Sequence, residues 1–244
     1  MLLAVISDIH SNLAALRAVL EHIERLDPAP QQVWCLGDVV GYGADPDACT
    51  ELTAERAQVC LAGNHDLVVL GAIDIDYFSK SAGAAARWTI DVMNERTRSF
   101  LEPLEPDGRE NGIGLFHASP RDPVWEYVLS IEQARACLEI QTDRVCLIGH
   151  SHVACFFERR DSRVRGEVAP AGTDLDLREG DWMINPGSVG QPRDGDPRAS
   201  YLLLDTEAWT ASFQRVEYPV DEAADAIVSA GLPVDLAQRL YLGH

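Results

Sequence analysis

Five apolar runs in this chain are each closed by a cluster of glycine, acidic, amide or imidazole side chains. Leu2 to Ile6 leads into Ser7-Asp8-Ile9-His10, Val33 to Leu36 into Gly37-Asp38, and Val59 to Ala62 into Gly63-Asn64-His65-Asp66. The run Ile113 to His117 ends on its histidine, and Arg144 to Ile148 leads into Gly149-His150-Ser151-His152. The chain has seven histidines, and five of them sit in these clusters, which chance placement would not produce. Short apolar runs bounded by turn residues read as buried strands. Between them the spacing changes to helical, with Leu13, Leu16, Leu20 and Ile23 on one stripe and a second helical stretch from Asp45 to Arg56. Strands alternating with helices imply a largely parallel sheet. In such a sheet the strand carboxyl ends share one edge, and ligands bind in the crevice outside it, so clusters far apart in sequence converge there.

Residues 79 to 104 form one amphipathic pattern, with Ile90, Met93, Thr97, Phe100, Leu101 and Leu104 on a stripe and Pro103 marking its end. This predicts a long helix that covers a sheet face. Another helix is expected from about Trp125 to Glu139. After Ile148 the texture becomes short and turn-bounded: Ala154 to Arg159, Arg163 to Val168, Tyr201 to Leu204 and Ala211 to Tyr218 read as strands of antiparallel hairpins. Helices near Asp221 to Ser229 and Val234 to Leu242 finish the chain. With no repeat, linker or low-complexity tract, the expectation is one α/β domain over residues 1–244, two sheets packed between helices, and a helical tail over about 220–244.

Composition narrows the function. The 244 residues carry 39 acidic and 20 basic side chains, a formal charge of −19. Such a surplus repels the backbone of long nucleic acid and anionic lipid, so neither is an expected partner. A small phosphorylated substrate stays compatible, because bound cations reverse the local sign. The run Leu2 to Ile6 lacks a basic leader and is stopped by Ser7-Asp8, so no signal peptide or membrane span is expected, and the expected location is the cytoplasm. Six cysteines show no C-x-x-C pair and read as reduced core residues. A single lysine, Lys80, and no G-x-x-x-x-G-K segment argue against a P-loop or a lysine Schiff base.

The clusters themselves have metal-binding logic. Asp8 and His10, two apart on an extended segment, point the same way and can grip one cation; His150 and His152 repeat the spacing. Gly37, Gly63 and Gly149 let the backbone turn sharply near an ion. Imidazole, carboxylate and amide donors without thiolate suit Mn²⁺, Fe, Zn²⁺ or Co²⁺, and spacing does not choose among them.

The ordered series D-x-H, G-D, G-N-H-D, H and G-H-x-H resembles the calcineurin-like metallophosphoesterase superfamily. Gly37-Asp38-Val39-Val40-Gly41-Tyr42-Gly43 and Asn185-Pro186-Gly187-Ser188-Val189-Gly190-Gln191-Pro192-Arg193 are similar to its small bacterial and archaeal phosphodiesterase branch. The resemblance implies a four-layer α-β-β-α sandwich with a dinuclear metal centre at one edge. It implies one divalent cation held by Asp8, His10 and His152, a second held by Asn64, His117 and His150, and Asp38 bridging both. It further implies hydrolysis of a small phosphodiester or nucleotide, with a phosphomonoester as the close variant, by in-line attack of a metal-bridging hydroxide. His65 is similar to the family histidine that faces the leaving-group oxygen, and Asp66 is expected to orient it.

The chain departs from the protein-phosphatase branch, which continues the second motif with an aspartate and a phosphate-binding arginine. Gly41 and Tyr42 stand there instead, which makes protein-phosphatase activity an unsuitable reading. Arg193 or Arg121 is expected to supply the missing cation, with Asn12 and Ser188 as further substrate contacts and the amides around Ser188 as an anion nest. His22 and His244 read as solvated surface residues. Trp88, Tyr77 and Phe78 read as core aromatics, with a nucleobase pocket as the alternative. Two other functions stay open: a non-catalytic metal-binding scaffold of the same fold, and a nuclease, for which no basic groove is visible.

Overall fold

The computed structural model describes residues 1–244. Its strands form two mixed six-stranded sheets. The first sheet is built on β1 (Leu2–Ile6), β2 (Gln32–Cys35) and β3 (Ala57–Cys60), which run parallel in the order β3-β2-β1. On the other side of β1 it continues antiparallel through β11 (Ala199–Asp205), β12 (Thr210–Val216) and β9 (Asp174–Asp176). The second sheet has the order β4-β5-β6-β10-β7-β8. It comprises β4 (Asp107–Glu110), β5 (Ile113–Phe116), β6 (Val145–Leu147), β7 (Cys155–Arg160), β8 (Arg163–Val168) and β10 (Asp181–Asn185).

Side-chain alternation sorts these strands into layers. Leu3 and Val5 of β1 join Trp34, Ile113, Leu115, Val145, Leu147, Ile184, Leu202 and Phe213 in a core between the two sheets. Ala4 and Ile6 point the other way, into a helical layer. That layer holds α1 (Leu13–Glu24), α2 (Pro46–Arg56), α3 (Asn64–Val69), α4 (Lys80–Val92), α5 (Glu95–Leu101), α7 (Val220–Ser229) and α8 (Val234–Leu242). On the far side α6 (Ile131–Ile140) covers the second sheet through Ala134, Cys137 and Leu138 against Ile148, Phe157 and Met183. The architecture is α/β in four layers, as expected. No helix is long and apolar enough to cross a membrane. All six cysteines are free, and all but Cys60 are buried.

The structure revises several elements. Residues 79–104 form two helices: Met93 is extended and Asn94 caps α5, its side chain accepting from the backbone of Arg96 and Thr97. Both helices bury residues in the same core, so the apolar stripe runs on across the break. The helix expected from Trp125 begins at Ile131, behind a Ser130 side chain that accepts from the Gln133 amide. Residues 120–130 are thereby released as a loop. Strands β4, β9 and β10 are additional to those the sequence predicts; β10 pairs parallel to β6 in the middle of its sheet. His22 is half-buried and hydrogen-bonded to the Tyr201 hydroxyl at 2.8 Å, rather than solvated.

Candidate active site

The five polar clusters do meet, but at an edge shared by two sheets and not along one. β1, β2 and β3 deliver Asp8, His10, Asp38 and Asn64; β5 and β6 deliver His117, His150 and His152. All seven are buried. His10 Nε2 lies 3.0 Å from His152 Nε2, 3.5 Å from Asp38 Oδ2 and 3.9 Å from Asp8 Oδ1. His152 Nε2 lies 3.4 Å from Asp8 Oδ1. His117 Nε2 is 3.5 Å from the same Asp38 Oδ2 and 3.1 Å from Asn64 Oδ1. Asp38 therefore belongs to two groups, one with Asp8, His10 and His152 and one with His117 and His150.

Getting those side chains there strains the backbone. Ten non-glycine residues have positive φ, and seven of them are here: Asp8, His10, Ser11, Asp38, Tyr42, His150 and His152. Such conformations persist only where the surroundings over-determine them, and they concentrate at functional sites. Of the glycines, Gly37 does take a left-handed turn, at φ +96°. Gly63 acts by close approach: a Cβ there would sit 1.9 Å from Asp38 Oδ1.

The hydrogen bonds behind the cluster fix what it presents. His10 Nδ1 is 3.2 Å from the Val40 carbonyl, His117 Nδ1 2.9 Å from that of Leu36, and His152 Nδ1 2.7 Å from that of Gln191. A carbonyl only accepts, so each Nδ1 carries the proton and each Nε2 presents a lone pair to the centre. Two such lone pairs face each other across 3.0 Å between His10 and His152. Asp8 Oδ1, Asp38 Oδ2 and His150 Nε2 are buried with no hydrogen-bond partner. Burial pushes the Asp8 carboxyl up to about 7, and raises Asp38 too, with Asp66 adding to the effect. Burial holds the imidazoles of His10, His150 and His152 well below the usual histidine range. Neutral imidazole lone pairs and orphaned carboxylate oxygens converging in a dry site are the chemistry of cation ligands, and the donor set fits divalent metal ions.

His65 stands beside this cluster with a different environment. Its ring packs between Tyr42 at 4.3 Å, Phe78 at 4.4 Å and His10 at 4.8 Å between centroids, and its Nδ1 is unpartnered. Burial and then Arg193 keep the ring neutral. Asp66 does not touch that ring. Its carboxylate accepts from the amides of Gly63, Val39 and Val40, pinning the Asp38 loop to the start of α3.

A cavity of about 330 Å³ opens over Asp38, Asn64, His65, His150 and His152. Arg193 lines it, its Nη2 donating to Gln191 Oε1 at 2.8 Å, its guanidinium carbon 5.6 Å from the Tyr42 ring centroid and its Nε buried without a partner. The other expected substrate contacts are engaged elsewhere. Arg121 is not in the lining and pairs with Glu126 at 3.4 Å. Ser188 Oγ donates to the Asp8 carbonyl at 2.7 Å and accepts from the Gln191 amide. Asn12 caps α1 and donates to the Gly190 carbonyl. Both amino acids brace the site from behind.

Tyr77 and Phe78 line the cavity, while Trp88 is packed against the helical core. Among the lining residues that escape the sequence reading are Trp125, Tyr127, whose ring stacks on His150 at 4.2 Å, and Arg239 of α8. The first two fall in the stretch read as a helix. The Ser130-x-x-Gln133 capping pattern was the signal that would have freed them. Arg239 carries no sequence signal, being one polar residue on an amphipathic helix.

The chain matches the family model described as the calcineurin-like phosphoesterase superfamily domain over residues 1–208. An uncharacterized protein of Methanocaldococcus jannaschii is 38% identical, covering 100% of this chain and 98% of that one. The crystal structure of a metallophosphoesterase from Sphaerobacter thermophilus superposes with a TM-score of 0.90 at 35% identity, covering 100% of this chain and 99% of that one. A symmetrical bis(5′-nucleosyl)-tetraphosphatase of Pseudomonas syringae pv. tomato is 34% identical over 139 residues, 53% of this chain and 44% of that one. The chain thus spans less than half of that enzyme's length. On the strength of its full-length relatives, its four-layer sandwich and the matched domain, the chain belongs to the calcineurin-like phosphoesterase superfamily.

Proposed function

We propose that this chain, acting as one domain, is a metal-dependent phosphoesterase that hydrolyses a small phosphodiester or nucleotide. The observation that carries the reading is the facing pair of Nε2 lone pairs on His10 and His152, set against the orphaned oxygens of Asp8 and Asp38. Asp8, His10 and His152 would hold one divalent cation, and Asn64, His117 and His150 a second, with Asp38 between them. When bound, such ions lower the pKa of a water nucleophile and neutralise charge that develops on the phosphoryl oxygens.

The remaining work falls to the chain's own side chains. Arg193, which lines the cavity, binds and orients the phosphoryl group. His65, neutral and flanked by aromatic rings, donates its N–H to the leaving-group oxygen as that oxygen gains charge. Tyr77, Phe78 and Trp125 offer planar apolar surface to the esterified group, and a nucleobase fits that surface chemically. The similarity to symmetrical bis(5′-nucleosyl)-tetraphosphatases supports a nucleotide over a bulk polymer. So does the net charge of −19.

The test is hydrolysis of an aryl phosphodiester and its monoester by chelator-stripped protein, with and without Mn²⁺, with His65→Ala alongside. Turnover restored by metal and abolished by His65→Ala is expected, and the ratio of diester to monoester rates then sets the subclass. Two bound metals with no turnover on either ester or on dinucleotides would replace this reading by that of a scaffold.

A further inference from the structure

We propose that Arg239 is a specificity-determining residue that binds a second phosphate of the substrate, distal to the one that is hydrolysed. The proposal rests on the phosphoesterase reading above and names the substrate class within it: a nucleotide-like ester bearing more than one phosphate.

Arg239 lies on α8, in the helical tail beyond residue 208, yet its side chain lines the same cavity as Asp38, His65 and Arg193. No carboxylate lies within ion-pairing distance of it, and of the arginines without such a pair only Arg193 and Arg239 line this cavity. A half-buried guanidinium kept free of such partners inside a cavity has unused donors for an anion. A single phosphate does not need it, because the cation ligands and Arg193 already answer that charge. The additional positive charge in the same lining fits a second anionic group.

The tail also holds Arg239 in a fixed place. Leu236, Ala237 and Leu240 of α8 are buried in the helical core. Beyond the helix end, the Gly243 carbonyl accepts from the Gly195 amide at 3.0 Å, two residues after Arg193. The contact is close: a Cβ on Gly243, which sits at φ +65°, would come within 2.8 Å of the Asp196 backbone. Asp194 in the same loop is fixed by a buried ion pair with Arg215 and accepts from the Ala154 amide. Arg193 and Arg239 therefore project from one clamped frame, which preorganises two anion contacts at low entropic cost. The rings of Tyr77 and Trp125, 5.8 Å apart, wall the same cavity and suit the planar part of such a substrate.

The test compares diadenosine tetraphosphate with bis(p-nitrophenyl) phosphate on metal-loaded wild type, Arg239→Ala and Arg239→Lys, after equal metal content and circular dichroism are established. Losing one charge-assisted contact predicts a rise of about tenfold in KM for the tetraphosphate with a smaller change in kcat, so selectivity for it falls about tenfold. Arg239→Lys restores part of the loss. An equal change for both esters, or none, overturns the proposal. If wild type hydrolyses neither ester, the phosphoesterase reading fails separately, and calorimetric binding of α,β-methylene-ADP against AMP decides this one. A wild-type preference for the two-phosphate ligand that Arg239→Ala abolishes supports it; the same preference in both proteins, or none in either, overturns it.

Discussion

Asp38 uses its two oxygens differently. Oδ1 accepts from the His65 amide at 2.8 Å, while Oδ2 stands 3.5 Å from both His10 and His117 with no hydrogen bond of its own. Asp38→Asn replaces the one anion common to both histidine groups and is expected to lower the occupancy of two metals together, read by elemental analysis. His65→Ala is expected to keep both metals and to lose roughly 10²–10⁴ in kcat, the usual contribution of a positioned proton donor. Equal metal loss in the two variants would reverse these roles. At this scale the seven candidate ligands were readable because each is a titratable or amide side chain soon after an apolar strand. Asp66 was not, since a carboxylate next to histidine in sequence looks like its partner. Only the folded loop shows that carboxylate occupied by three backbone amides.

Elements decide where those residues point. The departure at Gly41 has a steric reason: with φ at +96°, its Cα lies against the His65 ring, and a Cβ would fall 2.3 Å from Nδ1. Gly41→Ala is therefore expected to displace His65, lowering kcat with metal content retained. A positive-φ alanine also adds roughly 1–2 kcal/mol of strain, visible as a lower denaturation midpoint. Unchanged kcat would show that the ring does not need its present place. The loop over 120–130 works through Tyr127 on His150. Tyr127→Ala should weaken metal binding about 10–100-fold, as outer-sphere losses do, and Tyr127→Phe should retain the wild-type affinity because the stack remains. Strands and their order were readable where periodicity and turn residues agreed. The break at Met93-Asn94 was hidden because α4 and α5 share one apolar stripe. The central strand β10 was hidden because Asp181 and Asn185 bracket only three apolar residues, too short a run to assign by period alone.

At the scale of the whole molecule, the two sheets are tied by a dry core and meet at an edge where that dryness is a liability. Ser7, Asp8, Asp38, His117 and His150 are all buried there, and several of their polar atoms lack partners. Without cations this edge is destabilising, since an unpartnered buried polar group costs about 1–3 kcal/mol. With cations the same atoms become ligands, and binding stabilises the fold by mass action: about 2.7 kcal/mol per site at a hundredfold excess over Kd. For a domain near this size each kcal/mol moves Tm by roughly 2–4 °C, so chelation should lower Tm by roughly 5–10 °C per site. Asp8→Asn separates the two regimes. Asparagine tolerates the left-handed backbone at φ 54°, keeps an acceptor for the His150 amide, and adds an N–H facing the His152 lone pair. In chelator the variant should melt above wild type by roughly 2–4 °C, because the buried carboxylate is gone. In excess Mn²⁺ it should melt below wild type, because a ligand is gone. A variant that melts below wild type in both conditions would mean that Asp8 supports the fold itself, independent of any cation.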